Sequence, residues 1–389
     1  MTQDNSEFNP NEIISAYMEL SDRCLYQSAS WILEFLPPSI PNSQKEDPLI
    51  QSPSSSPVYL MAKELFSMGE FQKVEYNLRD STIKDQKAIG LKFLAKSLNL
   101  QRELDQNISD NVSFLGPLPV SENSRYDSFS SIIQEMKPLY DNQQLDPINI
   151  YIYASILVKG GRFKDAAPIV IQSINGYQMN RSAYKLLLTI LLRLDNDFIS
   201  KTLALFSPQA SQHWMTNLFK IELFSETGKA DELSLPLFEH VLTKQKVPRN
   251  PHIIALEAKM HYYRNDSQHS QDLFEELRQT DPLCFDYLEL YSNLLFVKED
   301  VSALSELSQS LAQIDKYRPE TLAVSGNFYA INGCHEDAIS NLAMALRQDS
   351  SFAFVWTLIG HEFVELENIT AAMAAYSRAH EHNQHDYRA

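Results

Sequence analysis

The sequence predicts an all-α fold, an α-solenoid of stacked antiparallel helix pairs. Apolar residues recur at helical spacing along most of the 389 residues, of which only 10 are glycine. Scarce glycine suits helices, where this residue costs about 1 kcal/mol relative to alanine. Residue size also recurs with a period of about 34 residues. Such an array can extend over a long chain, because each helix pair contacts only its neighbours.

The period is clearest in four consecutive repeats, which begin at Pro251, Phe285, Pro319 and Ala353. Their eighth positions are all small: Ala258, Ser292, Gly326 and Gly360. Their fourth positions are all large and apolar: Ile254, Leu288, Leu322 and Trp356. We expect the small residue where helix A of a repeat crosses helix B closely. The last two repeats follow the pattern W-x2-L-G-x2-Y, A-x3-F most closely, which predicts a tetratricopeptide-repeat superhelix.

The same patterns divide the chain into five segments. We predict an N-terminal helical segment, a flexible linker rich in proline and serine, N-terminal helical repeats, a loop, and the tetratricopeptide-repeat array, at residues 1–40, 41–57, 58–104, 105–125 and 126–389. Solenoid arrays normally end in a polar capping helix. The pattern shows none before Ala389, so we expect an array that is truncated at its C-terminal end.

Composition argues against several classes of partner. The net charge is −17 and lysine and arginine form no cluster, which disfavours nucleic-acid binding. No stretch approaches the roughly 18 apolar residues of a membrane span. Cys24, Cys284 and Cys334 lie far apart, which is typical of a reducing compartment and predicts neither a disulfide framework nor a zinc site. We therefore expect a nuclear and cytoplasmic protein without cofactor or metal.

Motifs for catalysis are missing from the sequence. It contains no H-E-x2-H, G-x-S-x-G, Walker or G-x-G-x2-G pattern, so we expect that the protein is not an enzyme. His380, His382 and His385 are spaced as metal ligands could be. The favoured interpretation is that they lie at a helix C-terminus, where positive charge is stabilised by the helix dipole.

Four stretches are more distinctive than the generic repeat. They are DRCLYQSASW at 22–31, IDKYRPET followed by GNFY within 314–329, WTLIGHEF at 356–363, and DYRA at 386–389. These stretches resemble the Cdc23 family, the eighth subunit of the anaphase-promoting complex (cyclosome). The similarity covers most of the chain and is weakest across 100–250.

The resemblance implies a scaffold subunit of a large ubiquitin ligase, acting in cell-cycle control and bound to other subunits of that complex. It implies a homodimer formed through the N-terminal repeats, with an interface at Leu25, Trp31, Ile32 and Phe35. It also implies a C-terminal groove for a basic co-activator peptide, the C box. Its expected contacts are Asn327 and Glu362, by family position, and His361 and Glu365, by their place on helix A.

Two other classes of function stay open. One is a tetratricopeptide adaptor or co-chaperone that binds the C-terminal tails of other proteins. Such clamps hold a carboxylate with lysine and arginine on helix A, whereas the helix A positions considered in the last two repeats are acidic or neutral. The other is an enzyme with a helical accessory region, and the length leaves no room for its catalytic domain.

Overall fold

The computed structural model describes residues 8–36, 56–79, 85–109, 122–228, 233–386 and 388. In this part of the chain the regular secondary structure is helical, without any strand, which confirms the predicted all-α fold. The predicted linker at 41–57 lies outside the described residues except for its last two, where a helix begins. No helix among the described residues has the length and apolarity needed to cross a membrane.

The described residues form two compact units. The N-terminal unit contains the residues up to Ile190 together with Asp197–Thr216, and the C-terminal unit contains Leu191–Asn196 and the residues from Asn217 onwards. The helices from the start of the chain to this boundary are α1 Pro10–Asp22, α2 Tyr26–Leu33, α3 Pro57–Ser67, α4 Phe71–Asn77, α5 Gln86–Ser109, α6 Glu122–Asp141, α7 Pro147–Lys159, α8 Phe163–Gly176, α9 Arg181–Leu192, α10 Asn196–Leu203 and α11 Pro208–Gln212.

The remaining helices are α12 Trp214–Glu226, α13 Leu235–Thr243, α14 Pro251–Tyr263, α15 Ser267–Thr280, α16 Leu288–Val297, α17 Val301–Ile314, α18 Pro319–Ile331, α19 His335–Gln348, α20 Ala353–Glu365 and α21 Ile369–His382. Helices α14 to α21 are therefore helices A and B of the four predicted repeats, in order. Both ends of the predicted loop at 105–125 are helical, since α5 continues to Ser109 and α6 begins at Glu122, and the remainder lies outside the described residues.

The backbone turns at the same position of every repeat. The fifteenth residue, which connects helix A to helix B, has a positive φ in all four: 59° at Asn265, 56° at Glu299, 74° at Gly333 and 58° at Glu367. A left-handed residue ends the first helix and redirects the chain, and glycine adopts it at the lowest cost. The repeat frame is thus visible in the backbone even where the sequence has lost its glycine.

The small eighth residues lie where helices A and B cross. A Cβ atom added to Gly326 would lie 2.6 Å from Leu342 Cδ2, and one added to Gly360 would overlap the ring of Tyr376. Leu342 and Tyr376 both occupy the twenty-fourth position, on helix B. The sequence therefore pairs a small residue with a large one at the crossing, as the repeat pattern predicts.

Gly360→Val is expected to destabilise the C-terminal unit by about 1–3 kcal/mol, because the added carbons force the Tyr376 ring out of a packed position. Urea unfolding of the variant and the parent protein measures this difference. Glu365→Val on the same helix is the matched control, since Glu365 is exposed and its replacement should change stability by less than about 0.5 kcal/mol. Equal losses for both variants would contradict the close crossing.

Candidate peptide-binding groove

The A helices of the C-terminal unit stack side by side, with α14 against α16, α16 against α18, and α18 against α20. Residues at the same position of successive repeats therefore lie next to one another. The Asn293 side-chain amide donates to the hydroxyl of Tyr262, at 2.7 Å, across the first of these junctions. One side of this stack forms the candidate site.

Arg388 shows that this side is concave. Its Nη1 donates to the Tyr262 hydroxyl of α14 at 3.0 Å, and its guanidinium carbon lies 4.9 Å from the centroid of the Phe354 ring on α20. Helices α14 and α20 are separated in the stack by α16 and α18. A single side chain reaches both, so the four helices curve around a groove.

The groove holds the Arg388 side chain with aromatic and acidic groups together. Tyr262 and Tyr263 each place a ring centroid 5.9 Å from the guanidinium carbon. Asp386 accepts from Nε at 2.8 Å and from Nη2 at 3.1 Å, a two-point contact. Ring faces attract cations, and a carboxylate matches the planar guanidinium fork. This end of the groove can therefore bind an arginine side chain.

Carboxylates line the groove towards the second repeat. Glu289 is partly buried on α16, and Asp286 and Glu320 add negative charge nearby. Burial, reinforced by the charge of Glu320, raises the pKa of Glu289 to about 8. A cation entering the groove would relieve this repulsion. The surface thus favours basic ligands.

Lys259 lies on helix A of the first repeat, but its side chain is buried in the protein interior. Its side chain is 3% exposed, and Nζ lies 2.5 Å from Glu226 and 3.9 Å from Glu222 on α12. Burial alone would lower its pKa, but the surrounding negative charges raise it. Lys259 is therefore not available to hold the carboxylate of a peptide tail, which argues against the adaptor or co-chaperone alternative.

Two of the predicted groove residues are accessible to a ligand, and their part in binding stays a prediction. His361 and Glu365 are exposed on α20. His361 Nδ1 lies 2.7 Å from the Tyr376 hydroxyl. Desolvation and the positive charge of Arg388 both lower the pKa of His361, which places it beside the arginine site. The structure therefore brings His361 together with Phe354 and Arg388.

The other two predicted groove residues are buried. Asn327 is 3% exposed and donates to Ser292 Oγ at 2.8 Å, joining α18 to α16. Glu362 is 6% exposed and lies 2.8 Å from His335 Nδ1 at the start of α19. Burial outweighs the histidine contact and raises the pKa of Glu362. Both side chains hold helices together, and a direct contact with a peptide stays a prediction for them.

The predicted dimer-interface residues lie largely inside the N-terminal unit. Leu25, Ile32 and Phe35 are 9%, 0% and 1% exposed. Phe35 packs on Trp214, with ring centroids 5.1 Å apart. Trp31 is partly exposed and carries the guanidinium of Arg181 over its ring, at 4.8 Å. An interface at these residues stays a prediction, and three of the four already have an intramolecular packing role.

Several residues of the groove were not among the sequence predictions, although the repeat frame assigns them to helix A. In a tetratricopeptide repeat the second, fifth, ninth, twelfth and thirteenth positions of helix A are expected to face the groove. In the first repeat the twelfth and thirteenth are Tyr262 and Tyr263, and in the second repeat the second and fifth are Asp286 and Glu289. These side chains carry much of the site. Only the contact with Arg388, 126 residues from Tyr262, had no signal in the sequence.

The three C-terminal histidines do not form a common site. His382 Nδ1 contacts the guanidinium of Arg193, and His385 Nε2 lies 3.0 Å from the Leu194 carbonyl oxygen. Burial and the neighbouring arginine lower the pKa of His382 to about 4. His380 and His382 do lie in the last turn of α21, as predicted, but the lowered pKa leaves His382 uncharged at neutral pH.

A family model and several sequence relatives indicate the same family. The family model described as anaphase promoting complex subunit 8 / Cdc23 matches residues 10–244, which includes most of the stretch where the motifs were least distinctive. The anaphase-promoting complex subunit 8 of Arabidopsis thaliana is 29% identical over 93% of this chain and 66% of its own length. The subunit CDC23 of Saccharomyces cerevisiae is 25% identical over 81% of this chain and 58% of its own.

The chain spans about two-thirds or less of the length of these relatives. Among solved structures, the crystal structure of the APC/C hetero-tetramer Cut9–Hcn1 aligns with 83% of this chain and 65% of that one, at a TM-score of 0.55 and 11% identity. That likeness concerns the fold. The family match, which extends over more than half of the chain, shows that the chain belongs to the anaphase promoting complex subunit 8 / Cdc23 family.

Proposed function

We propose that this chain is a non-catalytic scaffold of an anaphase-promoting complex, present in nucleus and cytoplasm. In this proposal the groove of the C-terminal unit binds the basic C-box segment of a co-activator, the N-terminal unit pairs with a second copy, and other subunits of the complex bind elsewhere on the chain. Family membership supports the scaffold role. The observation that carries the peptide-binding role is the arginine seated in the groove.

Arg388 acts in this proposal as a stand-in for the arginine of a ligand. The hydroxyl of Tyr262 and the ring of Phe354 are supplied by the groove, whereas the paired carboxylate, Asp386, comes from the same segment as the arginine. An incoming peptide would displace Arg388 and keep the contacts to Tyr262 and Phe354. Further basic residues along the groove would meet the negative charges of Asp286 and Glu320 beside Glu289.

Arg388→Ala is expected to strengthen binding of an arginine-containing basic peptide roughly 10-fold or more, because it vacates a site held by charge-assisted hydrogen bonds. Fluorescence anisotropy of a labelled peptide against the full chain measures the affinity. Adding Tyr262→Phe removes one hydroxyl and should cancel much of the gain. Arg347→Ala, an exposed arginine on α19, is the control. A peptide affinity that changes neither in Arg388→Ala nor on addition of Tyr262→Phe would contradict this site.

The N-terminal unit exposes apolar side chains that a second copy could cover. They lie on α2, α3 and α4 and in the turn after α3, and their exposed fractions are 46% for Tyr26, 46% for Val58, 50% for Leu60, 58% for Met61, 72% for Met68 and 63% for Tyr76. Exposed large apolar side chains on neighbouring helices are typical of an interaction surface. This group supports the proposed homodimer without requiring the buried Ile32 and Phe35 to leave their packing.

Met61→Asp is expected to weaken self-association at least 10-fold, because the new carboxylate would lose its hydration in the interface. Sedimentation velocity over a range of protein concentrations measures the dimer dissociation constant. Met373→Asp is the matched control, since Met373 is 67% exposed on α21 of the other unit. A parent protein that is monomeric at micromolar concentration would overturn the proposed dimer.

A further inference from the structure

Three side chains of metal-binding type converge where the first repeat meets the second. His252 Nδ1 is hydrogen-bonded to Asp286 Oδ2, and Cys284 lies beside them. One ligand atom from each residue lies within 4.8 Å of the others. Cys284 is 7% exposed, and the His252 side chain is 15% exposed. The cluster is thus largely shielded but reachable from solvent through Asp286.

The repeat architecture explains why these residues meet. His252 and Asp286 are 34 residues apart and both occupy the second position of their repeats. Stacking of α14 and α16 brings equivalent positions into contact. Cys284 immediately precedes the second repeat, on the same segment as Asp286. The two junction partners and the cysteine are therefore placed by the fold and not by a local sequence motif.

The segment that carries Cys284 and Asp286 is held in a fixed conformation. Tyr287 has a φ of +60°, so helix α16 begins only at Leu288. The Tyr287 hydroxyl donates to Glu222 at 2.5 Å, and its ring lies 4.3 Å from Lys259 Nζ. A bulky residue in the left-handed region is costly and persists where its surroundings determine it. Tyr287 thereby anchors both side chains against α12 and α14.

We propose that His252, Cys284 and Asp286 bind one zinc ion, with a fourth coordination position left for water. Imidazole nitrogen, thiolate sulfur and carboxylate oxygen are the ligands that zinc takes in proteins, at bond lengths of roughly 2.0–2.3 Å. Ligand atoms around a tetrahedral zinc ion are then about 3.3–3.8 Å apart. The ligand atoms now lie within 4.8 Å of one another, so the more distant ones would approach by about 1 Å, whereas the hydrogen-bonded atoms of His252 and Asp286 would separate.

The charges around the cluster suit a cation. Glu289 and Glu320 lie on the acidic side of the groove near Asp286. Zinc would join two repeats at the edge of the groove and neutralise the Asp286 carboxylate. This inference does not depend on the proposed peptide or on the dimer.

Cobalt(II) titration of the full chain, freed of metal by a chelator, tests the site. We expect one equivalent to bind and to produce a thiolate-to-cobalt charge-transfer band that zinc abolishes. Cys284→Ser should lose the band, and His252→Gln and Asp286→Asn should weaken zinc binding at least 10-fold by calorimetry. Cys334→Ser is the control, because Cys334 is an exposed thiol on the same unit.

Each result of this titration either supports or overturns the proposed zinc site. A band retained in Cys284→Ser, or lost in Cys334→Ser, would assign the metal to another thiol and overturn the proposal. So would a parent protein without a band at stoichiometric cobalt. Circular dichroism of the metal-free variants checks that they fold, and the conservative Asp286→Asn variant supplies a second reading if Cys284→Ser is destabilised.

Discussion

Lys259→Met is expected to destabilise the C-terminal unit by about 3–5 kcal/mol, because it leaves two buried carboxylates without their cation. Glu222 and Glu226 are 7% and 13% exposed and cannot recover full hydration in the folded state. Urea unfolding at neutral pH measures the loss. The exposed Lys298→Met is the matched control and should change stability by less than about 0.5 kcal/mol.

A double variant identifies the cause of that loss. Adding Glu226→Gln to Lys259→Met removes one of the stranded charges, so part of the stability should return. If Lys259→Met alone unfolds like the parent protein, the lysine is not the buried counter-charge described above, and it could then serve a ligand in the groove.

Phe35→Ala is expected to cost the N-terminal unit about 3–5 kcal/mol, because it removes a fully buried ring from an aromatic cluster. The Phe35 centroid lies 4.7 Å from Trp31, 5.1 Å from Trp214 and 6.5 Å from Phe8. Thermal or urea unfolding measures the change. Met61→Ala, on the exposed face of α3, should have an effect within about 0.5 kcal/mol.

Together these two variants distinguish residues that stabilise the N-terminal unit from residues that form the dimer interface. We expect Phe35→Ala to lower stability and to leave the dimer dissociation constant of the folded protein unchanged. Substitutions at Met61 should leave stability unchanged and weaken the dimer. A stable Phe35→Ala protein that no longer dimerises would place the interface at the residues that the sequence first indicated.

The repeat frame was predictable because it rests on size at fixed positions. Gly326 and Gly360 had to be small for helix A to approach helix B, and both face large side chains in the structure. The start of α16 was less predictable. Nothing in the sequence indicated that Tyr287 adopts a left-handed conformation and delays that helix.

The burial of two predicted site residues shows that helical periodicity alone does not predict whether a side chain is exposed. A sequence pattern gives the face of a helix, but not the width of the gap to the next helix. Asn327 and Glu362 are buried because Ser292 and His335 of neighbouring helices lie within hydrogen-bond distance of them. The burial of Phe35 against Trp214 likewise depends on a contact between residues distant in sequence.

No sequence motif indicates the three proposed zinc ligands, because the fold brings them together from two repeats. Cys284 and Asp286 follow His252 at a distance that matches no standard ligand spacing. Their proximity becomes visible only when two repeats are stacked in register. A repeat architecture can build a site from equivalent positions of neighbouring repeats.

Hydrogen exchange of the full chain, with and without an arginine-containing basic peptide, tests most directly whether the A helices form the ligand-binding groove. We expect protection in the A helices α14, α16, α18 and α20, of which α14 and α20 contact Arg388. The B helices α15, α19 and α21 should exchange as before. Protection confined to the B helices, or no change in α14 and α20 at a saturating peptide concentration, would contradict it.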